Sequence, residues 1–148
     1  MINVSLQDWL KNGWLIEHRT SPQEIADLLG VADRDLAQCQ TPGLDPDWQL
    51  SIAYNAVLQL AAAALAAAGY RASREAHHYR VLQSLAYTLK SDVSLIIRLD
   101  KFRKKRNLGE YERAGMTSDQ EAKEMLVLAR SLRKEVEDWI RSNIPGLL

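Results

Sequence analysis

The chain has 148 residues, and its 19 basic and 19 acidic residues give a formal net charge of zero. A chain of this length can bury one hydrophobic core unaided. Because its charges balance, the net charge of the protein cannot by itself attract it to nucleic acid or membranes. The single cysteine, Cys39, excludes an intramolecular disulfide and, with only three histidines, argues against a zinc site. We therefore expect no metal and no cofactor, and any electrostatic function must come from local clusters of charge.

Residues 1–20 are expected to be a peripheral segment. They lack a basic stretch followed by an apolar run, so they do not resemble a signal peptide, and we expect a reducing, cytoplasmic location. Trp9 and Trp14 are expected to pack on the rest of the protein rather than to bind a ligand. The sequence contains no repeat and no linker, which predicts one domain over residues 1–148 with its core in residues 21–142.

Capping residues mark where three of the helices begin. Ser21 and Asp45 are each followed by proline, which fits the first helical position because no N–H is needed there. Ser21 with Glu24, and Ser118 with Glu121, have the spacing of a capping box. Helices are therefore predicted to begin just after residues 21, 45 and 118.

Two further helices between these have weaker start signals. Ser73 can cap one, and either Ser91 or Asp92 can cap the next, while Gly69 and Gly109 stand where helices should end. Apolar residues recur at steps of three and four, and no segment sustains an alternation of period two. The last helix has this pattern at Ala122, Met125, Leu126, Ala129, Leu132, Val136, Trp139 and Ile140. The predicted fold class is all-α, an antiparallel bundle of about five helices.

The Ala-rich run over residues 52–70 is nearly long enough to cross a bilayer. It contains Asn55 and Gln59, and most of its apolar residues are alanines. A helix buried among neighbouring helices is therefore the favoured interpretation, and no membrane association is expected. Tyr54 and Asn55 are polar positions in this apolar segment, and they either hydrogen-bond across a helix interface or line a functional cleft.

Six of the nine residues from 98 to 106 are basic. Leu95, Leu99 and Phe102 form an apolar stripe along the same predicted helix. At roughly 100° per residue, Arg106 falls within about 20° of Leu95, so it is predicted to lie on the apolar face. A guanidinium there requires an anionic or hydrogen-bonding partner, because an unpaired buried charge is costly. A carboxylate of this chain, a second chain or a phosphate would satisfy it.

Three of the other clustered cations, Arg103, Lys104 and Lys105, are predicted to turn away from that stripe. A solvated helix face is the ordinary interpretation of such a run, and binding of RNA or phosphate is the functional one. Tyr111 follows two residues after the helix end expected at Gly109. Its ring either packs over the end of the helix, or its hydroxyl turns back toward Arg106 in a functional role.

Several short sequences occur in an order that is typical of one family. They are Trp48-Gln-Leu-Ser-Ile-Ala-Tyr54-Asn-Ala, Gly69-Tyr70, His77-His78, Arg103-Lys-Lys-Arg-Asn-Leu-Gly-Glu-Tyr111 and Thr117-Ser-Asp-Gln-Glu-Ala122. Over residues 21–142 this order resembles small prokaryotic proteins of the HEPN superfamily, especially those with the motif Arg-x-x-Arg-Asn/Asp-x-x-x-Tyr. The resemblance implies a helical bundle that forms a homodimer. Many members are RNases of toxin–antitoxin or defence systems, often encoded beside a small nucleotidyltransferase.

The resemblance also implies a set of catalytic residues. The family motif is an Arg, a polar residue and, after four to six intervening positions, a His. Arg106 and Asn107 match its first two positions, and Tyr111 stands where the histidine is expected. Metal-independent RNA cleavage needs a base for the 2′-hydroxyl, and imidazole suits this better than a phenol. His77 and His78 are the available substitutes, and one of them is expected to face the core while the other faces solvent.

Three functions compete on this sequence. The first is a HEPN-like, RNA-associated component of a toxin–antitoxin or defence pair, as a weak or inactive metal-independent RNase. The second is a non-catalytic, homodimeric helical module that binds a protein such as a small nucleotidyltransferase, for which the Tyr111 hydroxyl would be a suitable nucleotidyl acceptor. The third is a nucleotide-binding bundle, which is disfavoured because the chain has no glycine-rich phosphate loop.

Overall fold

The computed structural model describes residues 5–111 and 117–148, except for the side chains of residues 107–111. Within these ranges the protein is an all-α helical bundle with one small sheet, which confirms the predicted fold class. The elements, in chain order, are α1 (Leu6–Lys11), β1 (Leu15–Glu17), α2 (Pro22–Gln38), α3 (Pro46–Ala67), β2 (Tyr70–Ala72), α4 (His77–Gln83), α5 (Leu85–Thr88), α6 (Val93–Tyr111), α7 (Asp119–Asn143) and a final 3-10 turn (Pro145–Leu147).

The predicted helix starts after residues 21, 45 and 118 are confirmed. The Ser118 hydroxyl accepts from the backbone N–H of Glu121, whose carboxylate in turn accepts from the Ser118 N–H, so this capping box is complete. The box at Ser21 is only half formed, because Ser21 accepts from the Glu24 N–H at 3.1 Å but the Glu24 carboxylate is used elsewhere. It bonds His18 and Thr20, which ties the segment before α2 to the first turn of that helix.

Helix α3 is the centre of the bundle and packs mainly against α2 and α7. Its alanines permit this close approach, since small side chains let neighbouring helices lie near its backbone. By length and composition it could cross a membrane, but 67% of its most apolar stretch is buried inside the protein, as in the core helix of a soluble bundle. The interpretation of residues 52–70 as a buried helix therefore agrees with the packing.

The sheet was not predicted from the sequence. Strand β1 pairs antiparallel with β2, with Leu15 opposite Ala72 and Glu17 opposite Tyr70. The Ser73 hydroxyl extends this pairing by donating to the Gly13 carbonyl at 2.7 Å. Each strand has three residues, too few to show a period-two pattern. The pairing fastens the N-terminal segment to the chain that leaves α3, with Trp9 and Leu15 buried in the core.

Two helix boundaries differ from those predicted. The helix expected from Ser73 to about residue 89 begins only at His77, after Ala76 in the left-handed region (φ +49°), and it is interrupted at Ser84 between α4 and α5. Ser73 therefore closes the sheet instead of capping a helix. Helix α6 continues through Gly109 instead of ending there, and Tyr111, the last residue described before the gap, lies in the helix and not in a following turn. Glycine disfavours a helix without forbidding it.

Candidate functional site

Arg106 lies against the central helix. Its guanidinium carbon is 5.2 Å from the centre of the Tyr54 ring, and its Nε is buried. Phe102, one turn earlier on α6, and Leu99, two turns earlier, are also buried. The structure thus places Arg106 on the apolar face of α6, as its position in the helix predicts. A cation this close to an aromatic face is attracted by the ring, and burial strengthens that attraction.

Tyr54 forms the floor of this site. Its side chain is 0% exposed, and its hydroxyl has no hydrogen-bond partner among the described residues. Burial raises the pKa of Tyr54 well above its ordinary value, although the charges of Arg103 and Arg106 oppose the rise. The phenol is therefore neutral at physiological pH and serves as a ring and a hydroxyl, not as a base.

His78 lies beside the same ring. The centres of the His78 and Tyr54 rings are 6.2 Å apart, and the His77 ring follows at 6.0 Å from that of His78. Both histidines are exposed, so the expectation that one of them faces the core is wrong. Both histidines lie in the first turn of α4, which begins at His77, and the His78 ring is partly covered where it lies beside Tyr54.

The charge state of His78 depends on its neighbours. Burial of part of its ring lowers its pKa below the ordinary value, and the positive charges of Arg106, His77 and Arg103 lower it further. His78 is therefore a neutral imidazole at physiological pH, able to accept a proton. The structure brings a guanidinium, a buried phenol and a neutral imidazole together from α6, α3 and α4.

Of the three cations that were predicted to turn away from the apolar stripe, only Arg103 is part of this site. Its Nε donates to Asp100 at 2.7 Å, and Arg103 is close enough to influence the pKa values of both Tyr54 and His78. Lys104 is largely exposed and lies 3.4 Å from the other oxygen of Asp100. These contacts lower the pKa of Asp100 overall, although its partial burial acts in the opposite direction. One carboxylate thus serves two cations, and the cluster keeps a positive excess.

Lys105 points to a different surface. It donates to both oxygens of Glu121 at the start of α7, which lowers the pKa of that carboxyl. Lys105 also lines a cavity of about 250 Å³ between α6 and α7, together with Arg98, Lys101, Phe102, Glu121 and Glu124. The cavity contains both acidic and basic side chains, and some of them form ion pairs. It should therefore attract an anion less strongly than the surface around Arg106 does.

Asn55 does not join Tyr54 at the site. Its side-chain amide donates to Asp35 at 2.6 Å, which links α3 to α2. Asp35 is 4% exposed, and its other oxygen accepts from Arg34. Of the two roles predicted for these polar positions, Asn55 therefore has the first, a hydrogen bond across a helix interface. Tyr54 instead lies beside Arg106.

Two residues of the family motif, Asn107 and Tyr111, have side chains outside the described residues. Their predicted roles remain predictions. The described residues also contain no group of three or more potential ligands that could hold a metal ion. The single cysteine is a poor nucleophile, since burial, with help from Asp35, raises the pKa of Cys39 to about 11.

Sequence reasoning missed the surface next to this site. Arg80 stacks on the Trp14 ring, with its guanidinium carbon 3.6 Å from the ring centre. Tyr79 lies 5.6 Å from the guanidinium carbon of Arg80 and equally far from that of Arg103. These residues come from the N-terminal segment, α4 and α6, and no sequence spacing links them. Only the adjacent pair Tyr79 and Arg80 could have drawn attention.

Comparison of the chain with protein-family models, with curated proteins and with solved structures gives no match. The resemblance to the HEPN superfamily therefore stays a prediction from the order of short motifs. What the site does has to be argued from its own residues.

Proposed function

We propose that this is a HEPN-like RNA-binding protein in which Arg106 contacts an RNA phosphate. The observation that carries the proposal is the position of Arg106 over the Tyr54 ring, with His78 beside the same ring. A guanidinium held by a buried ring is oriented before an anion arrives, and its planar fork matches two phosphate oxygens. Arg103 adds positive charge next to it. Membership of a toxin–antitoxin or defence pair, and a cytoplasmic location, are supported only by the sequence.

The same arrangement supports slow RNA cleavage without a metal. The neutral imidazole of His78 accepts the 2′-hydroxyl proton, and the 2′-oxygen then forms a bond to phosphorus while the bond from phosphorus to the 5′-oxygen breaks. The leaving 5′-oxygen takes a proton from the imidazolium or from water, giving a 2′,3′-cyclic phosphate and a 5′-hydroxyl. Arg106 stabilises the added negative charge on the phosphorane. His78 thereby takes the role for which Tyr111 is chemically unsuited.

RNA binding and RNA cleavage by three variants test this proposal. Binding is followed by the fluorescence anisotropy of a labelled single-stranded RNA, and cleavage by gel in the presence of EDTA. Arg106→Ala is expected to weaken binding about 10-fold or more, because a buried charge-assisted contact is worth roughly 1.5–3 kcal/mol. His78→Ala is expected to bind RNA and to yield no cyclic phosphate. Arg98→Ala is the matched control, since Arg98 is on the same helix but lines the cavity between α6 and α7 instead of contacting the Tyr54 ring.

The outcomes separate binding from chemistry. If Arg106→Ala binds RNA as tightly as the Arg98→Ala control, Arg106 is not the phosphate contact and the proposed function is wrong. If the wild type binds RNA but cleaves none over many hours, the protein is a binder and the role of His78 as a base is wrong. Circular dichroism of each variant confirms that the fold is retained.

A second candidate, the homodimeric module that binds a protein such as a nucleotidyltransferase, is supported by a different observation. Val93 and Ile97 lie one turn apart on α6 and are 72% and 52% exposed. Adjacent exposed apolar side chains favour contact with another protein surface. Light scattering of the wild type should then give the mass of two chains, and Ile97→Glu should give one chain. A wild-type monomer without a co-purifying partner contradicts this candidate.

A further inference from the structure

Four side chains form a row on the surface next to Arg106. The guanidinium carbon of Arg80 lies 3.6 Å from the centre of the Trp14 ring, and those of Arg80 and Arg103 each lie 5.6 Å from the centre of the Tyr79 ring. Cations and aromatic rings thus alternate in the order Trp14, Arg80, Tyr79, Arg103, which we call the arginine–aromatic row. Its last member, Arg103, is part of the site of Arg106.

The row is partly open to solvent. Trp14 is 36% exposed, the Arg103 side chain is 22% exposed, and Tyr79 and Arg80 are half-buried. An internal packing cluster would be covered, whereas each of these four side chains keeps part of its surface open to a ligand. Nucleobases stack on both kinds of surface, on aromatic rings and on the planes of arginine side chains.

The backbone holds the far end of the row in place. The Trp14 N–H donates to the Trp9 carbonyl at 3.0 Å, and the Trp14 carbonyl accepts from the Ser73 N–H at 2.9 Å. The Trp14 ring also meets the buried Trp9 ring edge-on, with 5.9 Å between ring centres. The sheet therefore fixes Trp14 before any ligand binds, which reduces the entropy lost on binding.

The row carries a positive excess. Arg80 makes no ion pair with the residues that the structure describes, and Arg103 shares the single carboxylate of Asp100 with Lys104. Positive charge interleaved with rings fits a ligand in which anionic groups alternate with flat apolar ones. A single-stranded nucleic acid has this composition, whereas in a duplex the faces of the bases are already stacked.

We propose that the arginine–aromatic row is a binding track for single-stranded RNA, on which bases stack as the strand leads to Arg106. The track runs from the N-terminal segment across α4 to α6 and contacts bases without choosing their sequence, because every base has a face that can stack. This inference rests on the proposed function, since it assigns RNA a path to the same site.

The test measures the affinity of the full chain for three probes. These are a fluorescein-labelled single-stranded RNA of about 12 nucleotides, the same sequence as a duplex, and heparin, which carries negative charge without bases. Tyr79→Leu and Trp14→Leu should each bind the single strand about 5-fold more weakly or worse, as expected for the loss of one stacked base. Neither should change heparin binding. Tyr79→Trp should restore affinity, since any flat ring serves.

Matched controls use the same residue types elsewhere. Trp139→Leu and Arg141→Ala are on α7, which carries no member of the row, and both should bind the single strand as the wild type does. Arg80→Ala should weaken binding to the single strand and to heparin alike. Thermal unfolding of each variant shows whether the fold is retained, and the rescue by Tyr79→Trp distinguishes stacking from support of the fold.

The results separate this inference from the proposed function. If Arg106→Ala loses RNA binding while Tyr79→Leu and Trp14→Leu do not, the track is wrong and the phosphate site stands. If the row variants lose binding while Arg106→Ala does not, the track stands and the site at Arg106 is wrong. Equal affinity for single strand and duplex, or the same loss for heparin as for RNA in Tyr79→Leu, overturns the stacking role. A wild type that binds no RNA at low salt overturns both.

Discussion

The guanidinium carbon of Arg106 lies 5.2 Å from the centre of the buried Tyr54 ring, and this contact joins the basic helix α6 to the central helix α3. The ring attracts the cation, and this contact helps to hold Arg106 on the face of α6 where Leu99 and Phe102 are buried. The pair also limits the movement of the site, since the Tyr54 side chain on α3 is completely buried. Five predictions follow, from this pair, from its neighbour His78 and from positions elsewhere in α2 and α3.

The hydroxyl of Tyr54 can be removed without cost. It is buried and has no hydrogen-bond partner among the described residues, so Tyr54→Phe removes a desolvated polar group and keeps the ring under Arg106. We expect the free energy of unfolding in urea to be unchanged or higher. Tyr54→Ala, which removes the ring as well, should lower it by about 3–5 kcal/mol. A loss above about 1 kcal/mol in Tyr54→Phe would show that the hydroxyl is bonded.

The pKa of His78 should depend on Arg106. Burial comes first among the causes that lower this pKa, and the charge of Arg106 comes second, so Arg106→Gln should raise it toward the ordinary value of 6.5. Proton NMR titration of the ring measures the change. Arg98→Gln, at the start of the same helix, is the control and should leave the titration unchanged. No shift in Arg106→Gln would contradict the proximity of the two side chains.

The lowered pKa of His78 also has a consequence for stability. As the pH falls below 6.5, the unfolded chain takes up a proton that the folded chain accepts only at lower pH. The contribution of His78 to stability is therefore complete above pH 6.5 and is lost as the pH falls through its folded pKa. In His78→Gln this part of the pH dependence should disappear from unfolding curves measured between about pH 5 and 7.

The hydrogen bond from Asn55 to Asp35 should matter more than a similar bond at the surface. Asn55→Ala leaves one oxygen of a carboxylate that is 4% exposed without this donor, which should cost about 1.5–3 kcal/mol. Gln23→Ala is the matched control, since Gln23 donates to Asp27 at 2.8 Å in an exposed pair on α2 and should cost at most about 0.5 kcal/mol. Equal losses in the two variants would mean that burial does not strengthen this bond.

Gly30 is a position where the protein can be stabilised. It lies in the exposed middle of α2, and a methyl group added there would meet no atom within 4 Å apart from its chain neighbours and the backbone of its own helix. Gly30→Ala should therefore raise the free energy of unfolding by about 0.5–1 kcal/mol, because alanine restricts the unfolded chain and favours the helix. Gly43→Ala should do the opposite, since Gly43 has φ +79° with equally open space. A destabilised Gly30→Ala would contradict the helical geometry at this position.

Three of the helix starts were predictable because their determinants are local. A capping side chain or a proline at the first helical position acts within one turn, so the starts after Ser21, Asp45 and Ser118 could be recognised without a structure, although the Asp45 side chain makes no capping hydrogen bond. The position of Arg106 on the apolar face of α6 followed from the helical repeat alone. Where a stronger contact competed, this local reasoning was incomplete, as at Glu24, whose carboxylate bonds His18 and Thr20 instead of closing the capping box.

The sequence by itself determined that the chain is an all-α bundle and that Arg106 faces inward, because periodicity and capping depend on residues within a few positions of one another. Only the tertiary structure decided what Arg106 meets, that Asn55 turns to Asp35, and that both histidines are exposed. It also decided that Trp14, Arg80, Tyr79 and Arg103 form one row. These contacts join residues far apart in the chain, and their geometry depends on how whole helices pack.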